Sequence, residues 1–317
     1  MKIGILTFHN ADNYGAVLQC YALQEYLKSK YSNDDVFVID YKNKAIEKSY
    51  KSIQLRKSFL SNFTQLLNFP RLHKKRKQFS KFRSNYINLS KPCFSDFDII
   101  YYGSDQIWNT TLTNNDLVYF GQNFSGRKIA YAVSDGGELE FSEAINNNLQ
   151  KFESVLCREE SLMNKISKLN LKIPLKTVND PVFLLSREEW LSISQKPKES
   201  GYILAYKIAQ RLDFDNQAEL LGKKLGKKVI QIVYLKSARK LFYRREKIIE
   251  GISPNLFIGY IANADFVITT SFHGTAFSII FDKPFYVLEF EKRNERIIEL
   301  LKKHSLLDNY IKNVSAR

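Results

Sequence analysis

The sequence predicts an α/β protein of two Rossmann-like domains facing one another across a cleft. Three observations carry that expectation. Short β-type apolar runs alternate with helical patterns in both halves, the signature of parallel sheets built from βαβ units. The length of 317 residues suffices for about two domains, each closing its own core. Polar loops follow several of the strands, where an open α/β sheet lines its ligand crevice.

The chain begins with an apolar run at 2–8, a polar loop HNADNYG, and a segment whose Val17, Leu18, Tyr21, Ala22, Gln24 and Leu27 fit helical spacing. VFVIDY follows an Asn/Asp turn, so the opening forty residues read as one right-handed βαβ crossover. From about 44 to 92 the pattern is helical and basic, with RLHKKRKQFSKFR at 71–83, and reads as an insertion. Strands are expected again at 97–103 and 128–134, with a further apolar run, VFLL, after Asp180 and Pro181. The polar stretch SREEWLSISQKPKESG places the junction near residue 195, giving an N-terminal domain over 1–195 and a C-terminal one over 196–317. The second half reads as strand GYILAYKI, helix 215–225, strand KKVIQIVYL, a basic helix around 238–250, a short helix SPNLFIGYIANA and strand DFVITT. The loop SFHG, a helix over 275–281 and a last strand KPFYVLEF close the series.

Composition narrows the class. Hydrophobic residues make up 44% and charged residues 26%, with 13 Gly and 7 Pro, which excludes disorder and collagen-like repeats. A formal charge of +15 favours an anionic partner, whether phosphate ester, lipid surface or nucleic acid. Cys20, Cys93 and Cys157 are far apart and odd in number, a poor disulfide framework, so a reducing, cytoplasmic location is expected. Neither a signal peptide nor a membrane span is expected.

Three loops concentrate polar chemistry: HNADNYG, GSDQIWN and SFHG. Two of the four histidines, His9 and His273, fall in them, while His73 and His304 lie in charged helical stretches and are expected in solvent. His273 sits between a strand and a helix beside Gly274, which would let a ligand approach the backbone, and suits general acid–base work; a buried His bonded to nearby backbone is the alternative. Ser104, Asp105, Gln106, Trp108 and Asn109 suit a sugar, whose hydroxyls pair with carboxylate and amide while a ring face rests on an aromatic. Capping of the next helical turn explains Ser104 or Asp105 equally well. Asn13, Tyr14 and Gly15 offer either a helix cap or an open helix amino terminus. Arg293 and Arg296 share one helix face and could hold a carboxylate or phosphate, or simply face solvent. No group has metal-ligand spacing, and neither GxxxxGK[ST] nor a convincing GxGxxG is present.

Taken together, GILTFHNADNYGAVLQCYALQ, the GSDQIWN loop and FVITTSFHGTAFSIIFDKPFYVL resemble the polysaccharide pyruvyl transferase family, over about residues 3–301. CREESL, DPVFLL and KRNERI add weaker likenesses in the same order. The resemblance implies a glycosyltransferase-B-like enzyme that moves a pyruvyl group from phosphoenolpyruvate onto sugar hydroxyls of an envelope, capsular or exopolysaccharide glycan. His273 would then be the catalytic proton carrier. The donor would bind at Ser271, Gly274 and Thr275 with Arg293 and Arg296, then Arg244 and Arg245, supplying positive charge. His9, Asn13, Tyr14, Gly15, Ser104, Asp105, Gln106, Trp108 and Asn109 would face the glycan. Some members carry an arginine two positions before the histidine, where this chain has Ser271, so the donor's acidic groups need another partner here. Asp135 likewise stands where a bulky apolar residue is expected.

The expected partners are phosphoenolpyruvate as co-substrate and a glycan or lipid-linked oligosaccharide acceptor, with no cofactor, metal or nucleic acid. The basic run at 71–83 also suggests peripheral contact with anionic lipid. Rival readings are a sugar-nucleotide glycosyltransferase of the same fold and a non-catalytic binder of anionic polymer.

Overall fold

The computed structural model describes residues 1–50, 59–208, 211, 213–233, 247–290 and 295–316, with the side chains of 48–50, 59–72, 247 and 316 left out of the description. In chain order the elements are β1 (Lys2–Leu6), α1 (Tyr14–Lys30), β2 (Asp35–Ile39), α2 (Lys44–Tyr50), α3 (Phe59–Tyr86), β3 (Leu89–Ser90), β4 (Ile99–Tyr102), α4 (Thr110–Thr113), β5 (Arg127–Val133), α5 (Glu143–Leu149), β6 (Ser154–Cys157), α6 (Glu160–Ser167) and β7 (Leu175–Thr177). They continue with α7 (Arg187–Ser192), β8 (Tyr202–Tyr206), α8 (Phe214–Leu225), β9 (Lys228–Val233), β10 (Lys247–Glu250), α9 (Pro254–Ala262), β11 (Phe266–Thr269), α10 (Phe272–Ile280), β12 (Phe285–Leu288), α11 (Glu295–Lys303) and β13 (Tyr310–Ile311).

The strands form two sheets, ordered β3-β2-β1-β4-β5-β6-β7 and β10-β9-β8-β11-β12-β13, and every pairing is parallel. Helices must cover both faces of such sheets, so the central strands read as unbroken apolar runs. All four residues of β4 and all five of β8 are buried. Each sheet grows outward from its first strand and then reverses. The reversals fall between β1 and β4 in one sheet and between β8 and β11 in the other. Loops leaving those strands are where open α/β sheets take their ligands.

The chain divides into two compact units, one of Met1–Lys51 with Arg83–Leu185, the other of Ser52–Phe82 with Ser186–Arg317. The division therefore falls ten residues before the expected junction at 195. Packing explains the difference. Ser186 caps α7 in a reciprocal arrangement with Glu189, Trp190 of α7 lies edge-on to Phe277 at 4.9 Å, and Asn255 donates to the Ile193 carbonyl. The polar composition of this stretch marks a helix end, while its buried aromatic, Trp190, packs within the second unit. The basic segment is also not a simple insertion in the first domain, since 52–82 groups with the second unit.

Other departures are local. The expected basic helix at 238–250 lies outside the described residues up to 246, and Lys247–Glu250 is an edge strand. Pro181–Leu184, within the apolar run, is a 3-10 turn whose first N–H bonds Asp180. The helix expected to start at Thr275 starts at Phe272, which puts His273 in its first turn.

Candidate active site

At the carboxyl end of the second sheet, β11 leads through Thr270 and Ser271 into α10. Ser271 is the N-cap, with its Oγ accepting from the Gly274 N–H at 3.2 Å. The Thr275 hydroxyl donates to the Ser271 carbonyl at 2.9 Å. Thr269 Oγ1 donates to the Tyr206 carbonyl at 2.6 Å and accepts from the Ser271 N–H at 3.0 Å, which ties β11 to β8. A Cβ on Gly274 would lie 2.5 Å from that same hydroxyl. Glycine is required here because the first turn of α10 presses against the end of β11.

These bonds correct the reading of Ser271, Gly274 and Thr275 as donor contacts. Ser271 and Thr275 are fully buried, with their hydroxyls engaged inside the turn, and the space over Gly274 is filled by Thr269. His273, between them, keeps 9% of its surface exposed, with its ring edge-on to Phe272 at 5.2 Å. The turn thus fixes the histidine backbone rigidly at the positively polarised end of α10, with the residue as a whole buried and its Nε2 shielded from bulk solvent. Arg296 is half-buried in the first turn of α11. Arg293, Arg244 and Arg245 lie outside the described residues. Sequence reasoning missed Arg211, beyond the end of β8, whose guanidinium binds Asp213 and the carbonyls of Glu289 and Lys312, so it clamps loops together.

At the carboxyl end of the first sheet, the loops after β1, β4, β5 and β6 converge. Asn13 caps α1, accepting from the Gly15 and Ala16 N–H groups at 2.9 and 3.4 Å. Tyr14 and Gly15 are buried in its first turn. Asp105 adopts a left-handed backbone (φ 71°) and accepts from the Gln106 N–H at 2.9 Å. Gly136 packs against Gln106 and Asn109 so closely that a Cβ would sit 2.6 Å from Gln106 Oε1. Asn13, Asp105 and Gln106 remain partly exposed, a carboxylate and two amides suited to hydroxyl groups.

The other acceptor-side candidates are structural. Trp108 is fully buried, stacked on Phe120 at 5.4 Å, and donates from Nε1 to the Tyr119 carbonyl at 2.9 Å, so it offers no ring face to a sugar. Ser104 is buried, donating to the Ala132 carbonyl at 2.7 Å, and Asn109 caps α4 through the Leu112 N–H at 2.7 Å. His9 is 1% exposed, with Nε2 2.9 Å from Asp40 Oδ1, and this bond holds the Asp40 carboxyl below the usual carboxylate range. Each is a polar side chain that burial requires to be bonded, and each finds its partner within the unit.

Beneath these loops lies a buried ionic group centred on Arg158, a residue outside the three polar loops that the sequence marks. Arg158 donates to Asp180 at 2.7 Å and to Glu159 at 3.3 Å, and its Nη2 lies 4.0 Å from Asp105. Glu159 in turn accepts from Ser134 Oγ at 2.6 Å. Burial alone would lower the guanidinium pKa, but the carboxylates of Glu159, Asp180 and Asp105 outweigh it and raise it. Asp135, the departure noted above, is buried and paired to Lys165 at 2.6 Å while also accepting from the Gly137 N–H. The fragments CREESL, SDGG and DPVFLL are the sequence trace of this group. Among the described residues, no cluster of His, Cys, Asp or Glu has metal-holding geometry, and no helix is long and apolar enough to cross a membrane.

Solved structures place this architecture among glycosyltransferase-B-type folds. A Listeria monocytogenes protein assigned as a UDP-N-acetylglucosamine 2-epimerase superposes with a TM-score of 0.54 at 11% identity, over 97% of this chain and 86% of that one. The UDP-GlcNAc 2-epimerase of Methanocaldococcus jannaschii, solved with UDP-GlcNAc and UDP, gives 0.51 at 12%, over 98% and 91%. The Staphylococcus aureus MnaA–UDP complex gives 0.51 at 11%, over 94% and 82%. At such identities the likeness is one of fold alone. No curated protein matches the sequence. The family model for polysaccharide pyruvyl transferase matches residues 13–291, a span that contains the loops after β4, β5 and β6 and His273, and the chain belongs to that transferase family.

Proposed function

We propose that this chain transfers the pyruvyl group of phosphoenolpyruvate to two hydroxyls of a glycan sugar, forming a cyclic ketal and releasing inorganic phosphate. The observation that carries the reading is His273 in the capped first turn of α10, at the strand reversal of the second sheet, in a chain of this family. The family assignment supplies the transferase class; the donor and the ketal follow from the chemistry such a site can perform.

Enolpyruvate carbon C2 becomes electrophilic when its methylene is protonated to a methyl group. One sugar hydroxyl then bonds to C2, the second hydroxyl closes the ring, and the C2–O bond to phosphate breaks. Of the two hydroxyl protons, one balances the new methyl C–H and the other leaves with phosphate. His273 is the group that carries a proton in this exchange. The end of α10 favours the donor's negative charge, with Arg296 and the arginines at 293, 244 and 245 as cationic side chains for carboxylate and phosphate. Asn13, Asp105 and Gln106 are the groups we assign to the acceptor sugar.

Incubation with phosphoenolpyruvate and galactose- or mannosamine-type acceptors tests the reaction. Equal amounts of phosphate and of a product with a new ketal methyl resonance are expected. Thermal-shift measurements separate the rival donor, because a ligand of the folded state raises apparent stability. A shift with nucleotide sugars and none with phosphoenolpyruvate would replace this reading with glycosyl transfer.

A further inference from the structure

Residues 48–95 contain twelve Lys and Arg and no Asp or Glu, so this segment supplies +12 of the chain's formal +15. The excess is therefore a local feature. Within it, α3 runs over Phe59–Tyr86 without an acidic residue. Its carboxyl half is sharply two-sided. Lys75, Phe79 and Phe82 are buried, at 3%, 0% and 1% exposure, and share one face at helical spacing. Lys74, Lys77 and Lys81, spaced i, i+3 and i+7, are exposed on the opposite face, with His73, Ser80, Ser84 and Asn85 also exposed.

We infer that this lysine face docks the protein peripherally on an anionic lipid surface. Three features favour lipid over nucleic acid. Over 73–86, where the side chains are described, the rings are Phe79 and Phe82, both buried, and Tyr86, packed edge-on to Tyr21, so among the described residues the lysine face carries no ring on which bases could stack. Three of the four exposed charges over 73–86, at 74, 77 and 81, are lysine ammonium groups, compact point charges without the planar fork that reads phosphate or base edges bidentately, and Arg76 is the one exposed guanidinium among them. The three lysines also share one helix face at i, i+3 and i+7, so a flat charged sheet can meet all three within one Debye length, about 8 Å at physiological salt. The contact is electrostatic and superficial, and no described helix could cross the bilayer. This inference is independent of the chemistry at His273.

The test is sedimentation of the full chain with vesicles of phosphatidylcholine alone and of phosphatidylcholine containing about 30% phosphatidylglycerol, an anionic surface of the kind that attracts basic side chains. Binding to the anionic vesicles alone is expected, with release at high salt. The triple variant Lys74→Gln, Lys77→Gln, Lys81→Gln should partition about a hundredfold more weakly, the equivalent of about 1 kcal/mol for each lysine. Because these side chains are exposed, the variant should keep the wild-type melting curve and the wild-type turnover of a soluble acceptor. Equal binding to both vesicles, no binding to either, or undiminished binding by the triple variant would overturn the inference. Tight binding to a single-stranded oligonucleotide with none to anionic vesicles would overturn it in favour of nucleic acid. None of these outcomes bears on pyruvyl transfer, which is read separately from phosphate release.

Discussion

Arg158 and Asp180 form an ion pair at 2.7 Å with side-chain exposures of 2% and 0%. Asp180 also accepts from the Val182 N–H at 3.1 Å, so one carboxylate both neutralises the guanidinium and starts the 3-10 turn that packs against α1. Removing it takes from the buried guanidinium its 2.7 Å partner and leaves Glu159, at 3.3 Å, beside it. Asp180→Ala is expected to destabilise the protein by about 3–5 kcal/mol, read from urea unfolding. A loss under about 1 kcal/mol would show that the guanidinium finds water and that the pair does not organise the loops above it.

Gly274 is expected to resist even a methyl group. The Thr269 hydroxyl that a Cβ would strike is held by bonds on both sides, so it has no free direction in which to move. Gly274→Ala should cost about 1–3 kcal/mol by overpacking and should lower turnover by displacing His273. Wild-type stability and rate in that variant would contradict the tight strand-to-helix junction.

How much was legible beforehand divides along physical lines. The central strands and α1 were readable because a parallel sheet covered on both faces demands unbroken apolar runs, and IIYY and YILAY satisfy it. The short edge strands β3 and β13 were not, since two residues carry no periodicity. Polarity and position after a strand marked the loops HNADNYG, GSDQIWN and SFHG but not those after β5 and β6, and they did not give the direction of each side chain. Trp108 faces inward because its partners Tyr119 and Phe120 lie in a later turn, and no local pattern in GSDQIWN encodes that. The same limit hid Arg158, whose partners are spread over three loops.

The His9–Asp40 bond gives a pH dependence with a definite sign. Asp40 is held below the ordinary value first by the His9 hydrogen bond, with Lys42 adding to it against the opposing effect of burial. The unfolded chain therefore takes up this proton before the folded one as pH falls. The stability contributed is complete above the unfolded value, about 3.9, and is lost as pH drops through the lower folded value. The part of the stability gap between wild type and Asp40→Asn that comes from the Asp40 carboxyl should shrink as pH falls below about 4. A gap that widens on acidification would contradict the assignment.

Thiol reactivity checks burial independently. Cys93 is exposed, whereas Cys20 and Cys157 are fully buried and burial pushes their thiols up. An aromatic disulfide reagent should label one thiol rapidly in the native protein and all three after denaturation. Rapid labelling of all three in the native state would contradict the closed core of the first unit.

The most direct measurement of the central claim is phosphate release from phosphoenolpyruvate under saturating acceptor, compared between wild type and His273→Gln. Glutamine keeps the volume and polarity of the site but cannot carry a proton, so the rate is expected to fall by about 10²–10⁴-fold while the melting curve is unchanged. A variant that folds normally and turns over within a few-fold of wild type would remove the imidazole from the reaction.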